Sequence, residues 1–227
     1  MMGTYVSAII VAAGNSTRMG MSKSKQFIKL HGEPIIKHTL WAFEISNVID
    51  SIVVVCREQD EKDIKAVIRS GGFCKVKAVV YGGKTRDVSV KNGVLACDER
   101  TTHFAIHDGA RPLISDKDIK AVVNEAIKSK AAALGTLVTD TIKVVDEDNN
   151  IISTPERSAL RAVQTPQVFE KNLYLKALEK GSNKGITDDC QLVESIGEKV
   201  KIVLGSERNI KLTTKNDIMI AESFLNK

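Results

Sequence analysis

Two rhythms of apolar residues run along this chain. Short β-branched or small apolar runs at residues 5–11, 52–55, 76–81, 103–107 and 131–138 read as buried strands. Between them, Ile35, Ile36, Thr39, Leu40 and Phe43 recur at helical spacing behind Pro34, a residue favoured at the first position of a helix. Ile119, Val122, Val123, Ala126 and Ile127 make a cleaner stripe, with Ser115 and Asp118 ahead of it as a capping-box-like start. Strands alternating with helices at this spacing imply an α/β fold. The sheet is Rossmann-like, mostly parallel and sandwiched by helices.

The alternation breaks after residue 138. Residues 141–145 and 151–153 flank Asp146-Glu147-Asp148-Asn149-Asn150, which reads as a hairpin with a charged turn. An isolated hairpin is marginal in water, so another surface must cover its apolar face. The core or a second subunit can do so; the interruption of a regular pattern favours a second subunit, with residues 139–160 as a protruding β-arm for dimerisation. Helices are expected again at residues 171–180, at 188–196 behind a Thr187 cap, and at 215–225. No linker-like shift, repeat or low-complexity tract divides the chain, so residues 1–227 read as one domain with an arm.

Composition narrows the partners. At 227 residues and 43% hydrophobic side chains, the chain can bury one sizeable core. The net charge of +5 is spread along its length and aromatics are only 4%, which argues against nucleic acid and leaves an acidic small molecule as the partner of any local cation excess. Cys56, Cys74, Cys97 and Cys190 are isolated, with no C-x-x-C pair and no His at ligand spacing. That pattern argues against a zinc site or a disulfide framework, and for a reducing compartment. With no secretion-signal pattern and no apolar stretch near the ~20 residues needed to span a bilayer, the expectation is a soluble cytoplasmic protein without a membrane partner.

The candidate chemistry gathers at strand ends. The first strand runs into Ala12-Ala13-Gly14-Asn15-Ser16-Thr17-Arg18-Met19-Gly20, with Lys25-Gln26 close behind and no acidic residue between Tyr5 and His31. Small side chains let loop amides approach an anion, and two cations beside them suit a polyphosphate. The pattern G-x-x-x-x-G-K-[ST] is absent and G-x-G-x-x-G fails at Ser16 and Thr17, which disfavours a dehydrogenase. A second cluster, His107-Asp108-Gly109-Ala110-Arg111-Pro112, lies at another strand end, where ligands of open α/β sheets collect. Asp108 there is a candidate for Mg²⁺ or a substrate hydroxyl, and Arg111 for a hydroxyl-rich or phosphorylated group. The simpler alternative is a turn in which Asp108 caps amides and pairs with Arg111. His107 reads as a packed strand-end residue rather than a base. Gly82-Gly83-Lys84-Thr85-Arg86, followed by Ser89, forms a third loop, able to meet a flat base edge through its backbone or to serve only as a turn and helix cap.

These motifs are joined by Asp140-Thr141-Ile142-Lys143, Gln164-Thr165-Pro166-Gln167, Thr187-Asp188-Asp189 and Asn209-Ile210-Lys211-Leu212-Thr213. Together they resemble, nearly end to end and in order, the sugar-nucleotidyltransferase superfamily with its GT-A-like fold. Within it, the resemblance is to the 2-C-methyl-D-erythritol 4-phosphate cytidylyltransferases of the non-mevalonate isoprenoid pathway. The resemblance implies a Mg²⁺-dependent reaction in which CTP and methylerythritol phosphate give CDP-methylerythritol and pyrophosphate, carried out by a homodimer. Ala12, Ala13, Gly14, Gly83, Lys84 and Ser89 match the family's cytidine-holding positions, and Arg18 and Lys25 its triphosphate cations. Asp108, Arg111, Thr141 and Thr165 match positions lining the sugar-phosphate site. Arg157 and Lys211 match the pair that orients the attacking phosphate, Arg157 coming from the partner's arm.

Ser16, the run Arg86-Asp87-Val88-Ser89 and Gly109 depart from the family pattern, the second of these in the base-recognition loop. A ribitol 5-phosphate cytidylyltransferase is the enzyme alternative. Ala12-Ala13, Arg157 with Thr165-Pro166-Gln167, and Thr187-Asp188-Asp189 favour methylerythritol phosphate. A catalytically silent scaffold on the same fold would be free to lose Arg18, Lys25 or Asp108, yet all three are present. The nucleophile in such a reaction is an already anionic phosphate oxygen, so catalysis rests on charge neutralisation and in-line positioning rather than on a base.

Overall fold

The structure, a computed structural model, describes residues 3–14, 24–180 and 186–225. Its centre is a sheet of seven strands in the order β11-β7-β10-β6-β1-β4-β5. The β-branched runs supply β1 (Val6–Val11), β4 (Ser51–Cys56), β6 (His103–Asp108) and the Ala-rich β7 (Ala131–Leu137), all buried along most of their length. The strand β5 (Val76–Tyr81) forms where expected but is only half-buried, because it closes one edge of the sheet. β10 (Arg161–Glu170) and β11 (Lys201–Leu204) complete the sheet and are additions to the sequence reading. The pairs β1–β4, β1–β6, β4–β5 and β7–β11 are parallel, whereas β10 runs antiparallel to both β6 and β7.

Because side chains alternate across a strand, each face of the sheet builds its own core. Val6, Ala8 and Ile10 of β1 pack toward α1 (Ile35–Ile45), α2 (Glu61–Gly71) and α4 (Asp116–Ser129), meeting Leu40, Phe43, Ile64 and Val122. Ile9 points the other way, toward α3 (Arg86–Leu95), α5 (Lys171–Lys180) and α6 (Asp189–Glu194), among Val90, Phe104, Phe169 and Tyr174. A side-chain carbon on Gly93 would stand 2.5 Å from Ile9 and 2.9 Å from Val55, so glycine there is what lets α3 lie against the sheet. A two-stranded ribbon, β2 (Lys29–Leu30) with β3 (Glu33–Pro34), carries the last helix, α7 (Lys215–Leu225), on a small cluster of Leu30, Ile35, Leu212 and Ala221.

Helix starts follow local chemistry, with two corrections. Ser115 caps α4 as its sequence implies, accepting from the Asp118 N–H at 3.1 Å. Pro34 is the residue before α1 rather than its first. The cap of α6 is Asp188, not Thr187: Asp188 Oδ1 accepts from Gln191 N at 3.0 Å, while the Gln191 side chain reaches back to the Thr187 N–H at 2.7 Å. The arrangement is a variant of the capping box in which the return bond goes to Thr187, the residue before the cap, rather than to the cap itself.

The hairpin appears as β8 (Val144–Val145) and β9 (Ile151–Ser153), its Asp146–Asn150 turn closed by Asp146 Oδ1 accepting from the N–H groups of Asp148 and Asn150. Val144, Val145, Ile151 and Ile152 are all exposed on it, so the core does not cover this segment. Among the described residues, no helix is long and apolar enough to cross a membrane.

Candidate active site

Parallel strands deliver their carboxyl ends to one edge of the sheet. The chain runs outward through β1, β4 and β5, then returns to place β6 on the other side of β1, which makes β1 and β6 the point where strand order reverses. Val11 pairs with Asp108 in register, and Gly109 N donates to Val11 O at 2.9 Å, so the first loop and the aspartate segment leave the sheet side by side. A cavity of about 390 Å³ opens there, lined by Ala13, Gly14, Lys25, Gln26, Arg57, Glu58, Gly83, Lys84, Arg86, Ser89, Asp108, Lys211 and their neighbours. Eight of the residues assigned from sequence thus meet in one place: Ala13, Gly14, Lys25, Gly83, Lys84, Ser89, Asp108 and Lys211. Ala12 backs it, buried, with its carbonyl accepting from the Gln26 side-chain amide. Arg18, together with Ser16, lies outside the described residues.

The third loop is shaped by close approach. A side-chain carbon on Gly82 would collide with Ala13 and Ser89, so the nucleotide loop and the α3 loop touch only because this position is glycine. Ser89 Oγ accepts from Gly83 N at 3.0 Å and donates to Thr85 O at 2.9 Å, holding the turn that presents Gly83 and Lys84 to the cavity. The serine therefore braces the loop from beneath, and the loop's contribution to a ligand comes through its backbone and Lys84.

Asp108 organises the cations. It is 8% exposed, with Lys211 Nζ at 2.8 Å from Oδ2, Arg111 Nε at 3.7 Å from the same oxygen and Arg86 Nε at 3.6 Å from Oδ1. Burial alone would raise its pKa, but the charges of Lys211, Arg86 and Arg111 outweigh it and hold the carboxyl well below the usual range. Asp108 stays ionised. Both sequence alternatives for this turn are partly realised, since Arg111 does pair with Asp108 while the carboxylate still lines the cavity.

Lys211 reaches this position because the segment before it is laced to the sheet. Asn209, fully buried, donates to Gln164 Oε1 at 3.0 Å and Thr165 O at 2.9 Å, Arg111 Nη1 donates to Asn209 O at 2.7 Å, and Leu212 N donates to Ala110 O at 2.8 Å. Lys25 Nζ donates to Leu212 O at 3.3 Å, which brings it to the same wall.

Other assigned residues sit elsewhere. Thr165 is behind the site: its hydroxyl accepts from the Asp108 N–H at 3.1 Å and lies 3.0 Å from His107 Nδ1, so it supports Asp108 and does not line the cavity. His107 is fully buried, tilted against Phe43, and burial pushes its pKa down to about 4. It is a packed neutral imidazole, as read from sequence. Thr141 and Arg157 are exposed on the arm, where Arg157 Nη1 donates to Thr139 O at 2.7 Å, and neither lines the cavity of its own chain.

Arg86 and its partner Asp189 were not read as a pair from sequence. Arg86 Nη1 donates to Asp189 Oδ2 at 2.7 Å, Tyr174 OH donates to Asp189 Oδ1 at 2.7 Å, and Gln167 bridges the Asp189 N–H and Asp188 Oδ2. The departure at Arg86 is thus the link between the α3 loop and α6. From the sequence, the run Thr187-Asp188-Asp189 carries only family resemblance, and none of its residues is assigned to the site.

For a metal, the donor set is spare. Among the described residues, no group of three or more His, Cys, Asp or Glu is placed to hold an ion. Asp108 is a hard, ionised oxygen donor at the cavity wall, which fits Mg²⁺ held chiefly by nucleotide phosphates with one carboxylate.

Comparison with known proteins supplies the family. The profile of the 2-C-methyl-D-erythritol 4-phosphate cytidylyltransferase family matches residues 6–227. A protein of that name from Caldanaerobacter subterraneus subsp. tengcongensis is 46% identical over 225 residues, covering 98% of this chain and 99% of its own. Another from Desulforamulus reducens is 44% identical over 229 residues, covering 100% and 97%. Among solved structures, the 4-diphosphocytidyl-2C-methyl-D-erythritol synthase of Anaerococcus prevotii superposes with a TM-score of 0.89 at 35% identity, covering 99% of both chains. The 2-C-methyl-D-erythritol 4-phosphate cytidylyltransferase of Thermus thermophilus gives 0.77 at 29% identity, covering 99% and 100%. The ribitol phosphate alternative finds no support among these relatives.

Proposed function

Because the chain belongs to the 2-C-methyl-D-erythritol 4-phosphate cytidylyltransferase family, and is by that membership a CTP-dependent cytidylyltransferase of isoprenoid biosynthesis, we propose how its residues divide the work. The reaction joins the phosphate of methylerythritol phosphate to the α-phosphorus of CTP and releases pyrophosphate. What opposes it is the approach of a phosphomonoester to a triphosphate of about four negative charges. The observation that carries the proposal is the charge balance of the cavity wall: among the described residues, Lys25, Arg57, Lys84, Arg86 and Lys211 line it against Glu58 and Asp108, with Arg57 and Arg86 also paired to Asp60 and Asp189 behind the wall.

Cytidine lies against Ala12, Ala13 and Gly14 on one side and Gly83, Lys84 and the turn held by Ser89 on the other. Lys25 and Arg18 stabilise charge gathering on the α-phosphate and the departing pyrophosphate. Asp108, ionised and fixed, aims Lys211 at the incoming phosphate, and Arg111 and Thr165 keep Asp108 in place. No general base is needed, which agrees with His107 being enclosed and neutral. Asp108 would also hold Mg²⁺ accompanying the nucleotide, and a bound Mg²⁺ would neutralise phosphate charge.

The protein acts in the cytoplasm as a homodimer in which the arm of each chain brings Thr141 and Arg157 to the other's cavity. The exposed apolar residues of β8 and β9 support this reading. Lys25→Ala should lower kcat by roughly 10²–10³, the usual loss of one preorganised charge-stabilising donor. Mixing Lys25→Ala with Arg157→Ala chains tests the arm. Heterodimers in which one cavity has both residues should regain activity that neither parent has; an inactive mixture would mean that each chain supplies its own Arg157.

A further inference from the structure

Beside the cavity lies a polar cluster that none of the motifs contains. Ser24 Oγ donates to Asp60 Oδ2 at 2.6 Å. Arg57 donates from Nε to the same oxygen at 2.8 Å and from Nη2 to Oδ1 at 3.2 Å, and its Nη2 also donates to Ser24 Oγ. Ser24 and Asp60 are 3% and 7% exposed, and Asp60 does not line the cavity. The three groups come from two places in the sequence, the residue before Lys25 and the corner between β4 and α2.

Ser24 also starts the single helical turn Lys25–Phe27, its carbonyl accepting from Phe27 N at 3.0 Å. On the other side of Lys25, Gln26 is buried and its side-chain amide donates to the Ala12 carbonyl. Lys25 therefore rides on a turn whose two flanking residues are pinned, one to the β4–α2 corner and one to the end of β1. A lysine carries a compact charge on a flexible stem, so its aim depends on where the backbone launches it.

We propose that Asp60 and Arg57, acting through the Ser24 hydroxyl, are positioning residues for Lys25 in the transfer step. The proposal rests on the reading that Lys25 stabilises the triphosphate. It separates Asp60 from ordinary support of a helix start: support of α2 would lower stability, whereas positioning lowers kcat through one particular side chain. Removing Asp60 takes no cavity-lining residue away and leaves the Arg57 charge in place without its counter-ion, so KM for CTP should not rise.

The test is a double-mutant cycle on the full-length enzyme, with kcat and KM for CTP measured by pyrophosphate release in the presence of methylerythritol phosphate. Asp60→Ala should lower kcat by about tenfold to a hundredfold, the scale of a small misplacement of a catalytic group, with KM nearly unchanged. In a Lys25→Ala background the same substitution should cost less than about threefold, because the group it positions is gone. Equal losses in both backgrounds, or a wild-type kcat for Asp60→Ala, would overturn the proposal. Ser24→Ala, which removes only the hydroxyl, goes through the same cycle and decides the matter if Asp60→Ala does not fold; Ser24→Thr should restore kcat. A near-wild-type rate for Lys25→Ala alone would instead remove Lys25 from the mechanism, and the pinning proposal with it.

Discussion

Replacing Arg86 by alanine should destabilise the fold by an amount that follows from one buried carboxylate. The Asp189 side chain is 4% exposed and has Arg86 Nη1 at 2.7 Å as its cation. Burial opposes charge on Arg86, yet Asp189 and Asp108 hold its pKa above the ordinary value, so the guanidinium is charged in place. In Arg86→Ala, Asp189 keeps the Tyr174 hydroxyl at 2.7 Å but loses its counter-charge. Asp108 is less affected, because Lys211 remains 2.8 Å away. Removing one partner of a buried pair costs about 3–5 kcal/mol. The Arg86 side chain is 29% exposed, so water reaches it and the lower end of that range applies. For a chain of 227 residues, with Tm moving about 2–4 °C per kcal/mol, the melting temperature should fall by about 6–12 °C. Thermal unfolding followed by circular dichroism measures it. Arg86→Ala/Asp189→Asn should melt above Arg86→Ala alone, since the amide still accepts from Tyr174 and no buried charge is orphaned. A melting temperature for Arg86→Ala within about 2 °C of wild type, or additive losses in the double variant, would refute the argument.

Three further outcomes are expected. Under native conditions iodoacetamide should label Cys74 first: Cys56 and Cys190 are buried, and burial pushes the Cys56 and Cys97 thiols up to about 11 and about 12, so early labelling of Cys56 in a mass map would contradict the packing. Ile151→Asp/Ile152→Asp places charge on the exposed apolar face of the arm and should shift a dimeric wild type to monomer in light scattering, whereas a persistent dimer would place the interface elsewhere. Chelation with EDTA should abolish pyrophosphate release and added Mg²⁺ restore it; full activity without divalent metal would remove Mg²⁺ from the account.

The strands richest in β-branched residues were legible because both sheet faces are buried, so their apolar runs are continuous. β10 was not. Its first seven residues, Arg161-Ala162-Val163-Gln164-Thr165-Pro166-Gln167, have their apolar run broken because Gln164, Thr165 and Gln167 spend their side chains on Asn209, Asp108 and Asp188. β11 is four residues long and half-exposed at the sheet's other edge, which leaves little pattern to read.

In the site, strand-end logic located the three loops, since parallel strands bring their carboxyl ends together whatever lies between. Spacing could not show that Arg86 meets Asp189 across 103 residues, or Ser24 meets Asp60 across 36. Those contacts depend on how α3 and α6, or the corner after β4, pack on the sheet. Thr165 was identified as a site residue but not as a support, because a motif marks a position without saying which way its hydroxyl points.

In the function proposed for this cavity, CTP is joined to a methylerythritol phosphate acceptor through Lys25 and Lys211. The most direct measurement is pyrophosphate release from CTP by the wild-type enzyme with methylerythritol phosphate and with ribitol 5-phosphate, alongside Lys211→Ala. Turnover is expected with methylerythritol phosphate and little with ribitol phosphate, and Lys211→Ala should lose roughly 10²–10³ in kcat/KM. Preferential turnover of ribitol phosphate, or an undiminished Lys211→Ala, would contradict that function.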